Sequence, residues 1–457
     1  MSDIRPPDAV IDIMRRLKDA GHTCYVAGGA VRDLVMGRVP ADWDIASSAL
    51  PADVERLFPR TVPTGIAHGT VTVLHGGMQV EVTTYRQDGP YSDGRHPDYV
   101  SFAPDIRDDL ARRDFTMNAM AYDPIEDCLV DPFGGREHIR HRLIVCVGDP
   151  MVRFTEDKLR MVRAARFAST LGFDVHPSIV QACSQLASEI VQVAAERIIA
   201  ELVRMMEGVE PSKGLALLDE TGLLAHIMPD LAGEVAADRR RELYAACDSL
   251  PQWAWERWAL VLSPIGPERA RQVLLSLRAS RHQAATVYRI MSGAEALRDV
   301  APADGGGGGA EGAGGGGGRL PEARQLRQIA RQVGADALLS SVRVFLALRG
   351  ELAEGAGSAE WAEGGGVPEG EGVGLGGHPL LLMAATVLAS NPPLKVSDLA
   401  INGKDIMAAA GLESGPAVRR ILERLLDEVI LDPAANTRDR LIELAVKCAK
   451  ALSRDQR

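Results

Sequence analysis

The chain has 457 residues, a formal net charge of -11 and 46% hydrophobic content. That length exceeds what a single core organises, so several domains are expected. The acidic balance argues against a protein that coats nucleic acid by bulk charge, and no run of about 20 apolar residues is present to cross a bilayer.

Residues 1–21 read as a helix with Val10, Ile11, Ile13, Met14 and Leu17 toward one face. Thr23-Cys24-Tyr25-Val26-Ala27 reads as a strand running into a glycine turn, Gly28-Gly29-Ala30-Val31-Arg32-Asp33, and a helix opens from Val31 to Met36. Asp42 to Ser47 reads as a second strand. Residues i and i+2 of a strand leave the same face, so Asp42 and Asp44, either side of Trp43, are expected to project together. Two hard oxygen ligands in that relation suit Mg²⁺ bridging to a nucleotide phosphate, and the glycine turn offers backbone N–H groups to a triphosphate. The pairing implies nucleotidyl transfer.

Pro51 to Phe58 reads as a helix with Ser48 as its cap, and Thr70–Leu74 with Gln79–Tyr85 as a hairpin about Gly76-Gly77. Glu81 breaks the apolar alternation of Val80 and Val82. It is either the wet face of that strand or a third carboxylate beside Asp42 and Asp44, able to orient or help deprotonate an attacking hydroxyl. Residues 86–101 are turn chemistry, a long polar loop of the kind that carries function. In Arg112-Arg113-Asp114-Phe115-Thr116-Met117-Asn118-Ala119, Asp114 or Thr116 could cap a turn, and the paired arginines either end a helix in solvent or clamp triphosphate oxygens. To about residue 150 the pattern is a small mixed sheet with helices.

From about Phe154 the chain reads as helical. Asp157, Arg160, Arg163 and Arg166 recur every third residue and would share one face of a helix. They are either surface ion pairs or, for Asp157 accepting and Arg160 donating, an edge that pairs with a base and leaves buried groups unpaired against a wrong one. Ala195-Glu196-Arg197-Ile198-Ile199-Ala200-Glu201-Leu202 reads as a supporting helix. Gly305–Gly309, Gly314–Gly318 and the stretch Gly350–Gly377 read as disordered insertions around a helical island, Pro321–Leu348. His378 to Ser453 returns to helix, with Pro416 at a helix start. The N-terminal Met1-Ser2-Asp3-Ile4-Arg5-Pro6-Pro7 lacks the apolar core of a secretion signal, and the six scattered cysteines form no CxxC pair, so a cytoplasmic protein with reduced thiols is expected.

GGAVRD, DWD, RRDFTMNA, EDKLRMVRAARF and AERIIAEL, in this order, closely resemble the class II tRNA nucleotidyltransferases (CCA-adding enzymes) and the related bacterial poly(A) polymerases. The likeness is strong over about residues 20–230, and the stretch from Asn402 through Pro416 to Asn436 is similar to the C-terminal part of bacterial members. The resemblance implies an α+β nucleotidyltransferase head followed by all-α neck, body and tail. The expected bounds are 1–150 for the head, 151–230 for the neck, 231–300 for the body and 378–457 for an RNA-binding tail. Between body and tail come a 301–320 insertion, a 321–349 helical island and a 350–377 insertion.

By the same resemblance, Asp42 and Asp44 are the metal carboxylates and Glu81 the third acidic position. Gly28, Gly29, Arg32 and Arg113 contact the nucleotide. Asp157 and Arg160 read the base of CTP or ATP, Arg163 and Arg166 add nucleotide contacts, and Glu196 and Arg197 steady that helix. The implied reaction is template-independent addition of CCA to the tRNA 3′ acceptor end. The 3′-hydroxyl attacks the α-phosphate with two Mg²⁺ ions on Asp42 and Asp44, and pyrophosphate leaves. Poly(A) polymerases of the family carry a basic GRRFxLxHV-type segment where this chain has Pro63-Thr64-Gly65-Ile66-Ala67-His68-Gly69-Thr70-Val71, which looks like the CCA-adding version. Poly(A) addition, A-only addition and an inactive nucleotide-sensing scaffold are the alternatives, the last disfavoured by the intact Asp42, Asp44 and Glu81. Oligomeric state is not legible.

Overall fold

In the computed structural model, which describes residues 4–65, 69–89, 99–301, 320–352 and 378–454, the alternating N-terminal segments assemble into one seven-stranded sheet. Its elements run α1 (Asp8–Asp19), β1 (Cys24–Ala27), α2 (Gly29–Val35), β2 (Asp44–Ser47), α3 (Pro51–Leu57), β3 (Thr61–Gly65), β4 (Thr70–His75) and β5 (Met78–Thr84). A separate hairpin of β6 (Arg86–Asp88) and β7 (Val100–Phe102) is followed by α4 (Ile106–Ala111), a tight 3-10 turn (Thr116–Asn118), β8 (Ala121–Asp123), β9 (Cys128–Val130) and α5 (Gly135–Arg140). The strand order is β3-β4-β5-β2-β1-β8-β9, antiparallel throughout except for β2 against β5.

β-Branched residues suit this pleated, half-buried surface: Val26, Ile45, Val71, Val73, Val80 and Val82 are all buried in it. On α1, Val10, Ile13, Met14 and Leu17 are fully buried at helical spacing, and Ile11 is half-buried. The sheet differs from expectation in detail. β2 begins at Asp44, and Asp42 lies in the bend before it. Ser48 does not cap α3. Its Oγ accepts the N–H of Thr23, and the residue at the helix entrance is Leu50, whose N–H donates to Asp53. β3, β8 and β9 escape a sequence reading because each is short and set among turn residues.

The chain divides into two units, Met1–Gly233 and Glu234–Arg457. The first continues with β10 (Leu143–Ile144), α6 (Pro150–Glu156), α7 (Leu159–Leu171), β11 (Asp174–Val175), α8 (Pro177–Leu186), α9 (Ala195–Met206), α10 (Pro211–Glu220), α11 (Leu223–Ile227) and α12 (Pro229–Glu234). β10 and β11 pair in parallel, which places one strand, β11, inside what the sequence suggests is pure helix. α7 packs against α9 and α10. The α10 contact needs a glycine, since a Cβ on Gly214 would stand 2.7 Å from the carbonyl oxygen of Ala165.

The second unit is helical: α13 (Ala237–Cys247), α14 (Ala254–Val261), α15 (Pro267–Ser276), α16 (Arg281–Val300), α17 (Ala323–Val333), α18 (Ala335–Arg349), α19 (Pro379–Ala389), α20 (Gly403–Ala410), α21 (Pro416–Leu431) and α22 (Arg438–Arg454). α16 packs on α14, α15 and α18, and Arg343 of α18 donates to the fully buried Glu256 of α14 at 2.6 and 2.8 Å. Ile406, Ile421, Leu425, Val429 and Leu441 form the core of the C-terminal helices. The expected island holds two helices, α17 and α18. The glycine tracts and residues 90–98 of the polar loop lie outside the described residues. Among the described residues no helix is long and apolar enough to cross a membrane.

Candidate active site

Asp44 opens β2, and in the parallel pairing its register partner on β5 is Glu81. Register partners share a sheet face, so the two carboxylates stand side by side. Trp43 is buried between the exposed Asp42 and Asp44, so the alternation that aims both acids outward extends past the end of the strand. Although Asp44 is exposed, desolvation by the protein around its carboxyl raises its pKa, and the negative charges of Glu81 and Asp42 raise it further while Arg113 opposes them. All three acids and one arginine therefore act on a single spot.

No group of three or more His, Cys, Asp or Glu side chains among the described residues forms a ready cage for a metal. Mg²⁺ takes one or two protein carboxylates and completes its shell with substrate phosphate and water. The acidic charge that Glu81 and Asp42 place around Asp44, opposed by Arg113, suits an ion that needs hard donors, and Asp42 with Asp44 fit it.

The glycine turn lies beside this spot. Gly28 has φ 74°, a conformation that L side chains rarely adopt, and a Cβ there would stand 2.5 Å from Nη1 of Arg113. The N–H of Gly28 donates to Met120 at 3.2 Å, so that N–H is not among those the turn offers a phosphate. Gly29 starts α2 and lies under Arg32, whose Nη2 is 3.7 Å from a Cβ built there. Arg32 donates through Nε to Asp33 at 2.9 Å and through Nη1 to the side-chain oxygen of Asn118 at 3.1 Å. Arg113 donates through Nη2 to Asp109 at 3.2 Å and through Nη1 to the backbone oxygen of Asn118 at 3.3 Å, and its buried Nε has no hydrogen-bond partner. Asp109, 1% exposed, also accepts Nε and Nη2 of Arg112 at 3.0 and 2.7 Å. Burial opposes its charge, but Arg112 and Arg113 outweigh burial and hold its pKa below the usual carboxylate value.

The helix expected through 156–167 is broken. α6 ends at Glu156, α7 starts at Leu159, and Asp157 between them is extended at φ -144°, ψ 105°. Asp157 and Arg160 therefore do not share a helix face, and each has its own partner. Asp157 accepts Nη1 and Nη2 of Arg197 at 3.3 and 2.8 Å, and the N–H of Leu159 at 3.1 Å. Arg160 is buried. Its Nη1 donates to Glu156 at 2.6 Å and to the carbonyl of Arg153 at 3.0 Å, and its Nη2 to the carbonyl of Arg112 at 3.1 Å. That last bond ties Arg160 to the arginine pair beside the glycine turn.

Arg163 and Arg166 continue along α7. Arg163 donates to Asp114 at 2.8 Å and lies 3.5 Å from Glu201 of α9, while Arg166 pairs with Glu201 at 2.6 Å and lies over the ring of Phe167 at 3.7 Å. Burial disfavours the charge on Asp114, yet Arg163, the N–H of Phe115 and Asn118 hold its pKa down to about 2. Burial pushes Arg166 down to about 10 despite Glu201. Arg32 and Arg163 face the same Phe167 ring at 5.6 and 5.5 Å, a further link between the turn and α7. Of these partners the sequence reading omits Asp109, although it stands three and four residues before the two arginines, the spacing of intrahelical ion pairs.

Three family models match the chain: the poly A polymerase head domain over residues 24–145, a probable RNA and SrmB-binding site of polymerase A over 172–234, and a putative tRNA nucleotidyltransferase domain 2 over 391–445. The chain is 35% identical over 444 residues to the CCA-adding enzyme of Geobacillus stearothermophilus, spanning 96% of each chain. It is 32% identical over 440 residues to that of Limosilactobacillus fermentum, again spanning 96% of each. The crystal structure of the Bacillus stearothermophilus CCA-adding enzyme in complex with CTP matches with a TM-score of 0.77 at 32% identity, covering 99% of this chain and 100% of that one. The Thermotoga maritima CCA-adding enzyme complexed with tRNA_CCA, at 18% identity and a TM-score of 0.61 over 97% of each chain, shares the fold.

Proposed function

The chain belongs to the family of CCA-adding enzymes and is a nucleotidyltransferase, and on that premise we propose that it adds C, C and A to the 3′ end of tRNA from CTP and ATP. The observation that carries this reading is the register pairing of Asp44 with Glu81, beside Asp42 and facing the Arg113 that covers Gly28.

In this reading Asp42 and Asp44 hold Mg²⁺, which when bound offsets charge on the α-phosphate and on the leaving pyrophosphate. Arg32 and Arg113, held by Asp33, Asn118 and Asp109, bind the triphosphate oxygens, with the unpartnered Nε of Arg113 available for one of them. Glu81 orients the RNA 3′-hydroxyl and takes up its proton at a carboxylate oxygen as the 3′-oxygen bonds to the α-phosphorus. The bond from the α-phosphorus to the bridging oxygen breaks, and pyrophosphate leaves. Asp157 and Arg160 present the accepting and donating edge that reads the base. Their present partners, Arg197 and Glu156, keep both side chains oriented before the nucleotide arrives.

We assign residues 1–150 to the head, 151–230 to the neck, 231–300 to the body and 378–457 to an RNA-binding tail. The six free cysteines support action in the cytoplasm. The test is incorporation into tRNA lacking its 3′ end, with CTP and ATP supplied singly and together, with and without Mg²⁺. Ordered addition of C, C and A only when Mg²⁺ is present supports the reading. Runs of A, or A alone whichever nucleotides are given, would replace it with poly(A) or A-only addition.

A further inference from the structure

Asn118 occupies the last position of the 3-10 turn that follows the arginine pair, and it is 7% exposed. Besides the backbone N–H, which donates to Phe115 within the turn, its three other polar groups point three ways. The side-chain oxygen accepts Nη1 of Arg32 at 3.1 Å. The side-chain NH₂ donates to Oδ1 of Asp114 at 3.2 Å. The backbone oxygen accepts Nη1 of Arg113 at 3.3 Å. The amide orientation follows from the partners, since a guanidinium only donates and a carboxylate only accepts.

The turn itself is fixed. The N–H of Thr116 donates to Val145, the N–H of Val147 to Asp114, and a Cβ on Gly135 would lie 2.3 Å from the carbonyl oxygen of Thr116. Asp114 in turn is held by Arg163 of α7. A rigid, buried amide thus spaces the two arginines on either side of the glycine turn and ties that spacing to α7.

We infer that Asn118 is a positioning residue for nucleotide binding, which sets Arg32 at the distance from Arg113 that a triphosphate spans. The inference rests on the proposed role of Arg32 and Arg113 as the triphosphate cradle. Asn118 itself touches no substrate; it acts by holding Arg32 and by coupling that arginine to Asp114. Loss of a side-chain bond to a charged group that is made before the nucleotide binds raises KM for the nucleotide and leaves the chemical step and the tRNA contacts unaffected.

The experiment is steady-state addition by the full chain, comparing Asn118→Ala, Asn118→Asp and Arg32→Ala, with KM measured separately for CTP and for the tRNA primer. Asn118→Ala is expected to raise KM for CTP about tenfold, with kcat and KM for tRNA within about twofold of the parent. The double variant Arg32→Ala/Asn118→Ala is expected to match Arg32→Ala alone, because both act through one contact. Asn118→Asp, nearly isosteric, guards against simple misfolding. It keeps an oxygen for Arg32 but sets a second carboxylate against Asp114, so its KM defect should shrink as pH falls and the introduced acid regains a proton to donate. A raised CTP KM in Arg32→Ala with a parental one in both Asn118 variants overturns this inference alone. A parental CTP KM in Arg32→Ala overturns the cradle reading and the inference with it. Equal losses in kcat and in both KM values, with no pH dependence, would mark Asn118 as merely structural.

Discussion

Arg197 grips Asp157 with both terminal nitrogens, at 3.3 and 2.8 Å, across the gap between α9 and the break that precedes α7. The residue that would read a base is thus oriented by a helix remote in sequence. Asp157→Ala is expected to reduce discrimination between CTP and ATP about tenfold or more while slowing addition less. Arg197→Ala should produce the same kind of loss in milder form, since Asp157 keeps its carboxylate but not its orientation. The measurement is the ratio of kcat/KM for the two nucleotides on tRNA ending before the first C. An unchanged ratio in Asp157→Ala removes the base-reading role.

Replacing either strand-end acid tests the chemistry. Asp42→Ala and Asp44→Ala are each expected to cut incorporation by about 10³-fold or more, with tRNA affinity nearly unchanged in a filter-binding titration. Parallel loss of incorporation and of tRNA binding would mean that the two acids hold the fold instead.

Gly28→Ala forces an L side chain into φ 74° and pushes it toward Nη1 of Arg113. Backbone strain of this kind costs about 1–3 kcal/mol. A lower melting temperature together with a raised KM for CTP is expected. A melting shift with an unaltered KM would separate the turn from nucleotide binding.

Acid stability offers an independent check on Asp114, whose folded-state pKa of about 2 lies below the ordinary carboxylate value. A depressed acid contributes stability that is complete above its unfolded pKa and is lost as pH falls through the folded one. The window here is from about pH 4 down to about pH 2, and the contribution is about 2 kcal/mol. Urea unfolding of the parent and of Asp114→Asn across pH 2–7 should show a gap that is widest near neutrality and narrows below pH 4. A gap that is constant with pH rules this out.

In the second unit, breaking the buried Glu256–Arg343 pair on one side strands a charge. Glu256→Gln is expected to destabilise by about 3 kcal/mol or more. Glu256→Met/Arg343→Met, which removes both charges, should cost less than the single change. Denaturant midpoints decide, and a double variant weaker than the single one contradicts the argument.

Much of the candidate site is legible in the sequence because local chemistry announces it: acids two residues apart, a glycine turn, adjacent arginines. Alternation alone places Asp42, Asp44 and Glu81 on outward positions, and the structure adds that Asp44 and Glu81 are register partners. The reading fails where a long-range contact overrides periodicity. A run of threefold spacing suggests one continuous helix through Asp157, but Arg197 and the N–H of Leu159 hold that residue in an extended conformation, and the helix breaks there. The partners chosen by Arg163 and Arg166 are likewise not deducible from spacing, since Glu201 and Asp114 come from segments distant in sequence. Asn118 is visible as a residue but not as a link to the glycine turn, because its bond to Arg32 is one that only tertiary structure creates.

The parallel alignment of β2 with β5 has a temporal meaning as well. Parallel neighbours cannot be joined by a tight hairpin, and here α3, β3 and β4 intervene before the later strand returns to its mate. A nascent chain that has emerged only as far as the first acids carries their side chains without their companion. The acids of the candidate site therefore meet only once β5 has docked on β2, so their pairing is delayed until the intervening helix and two strands have been made.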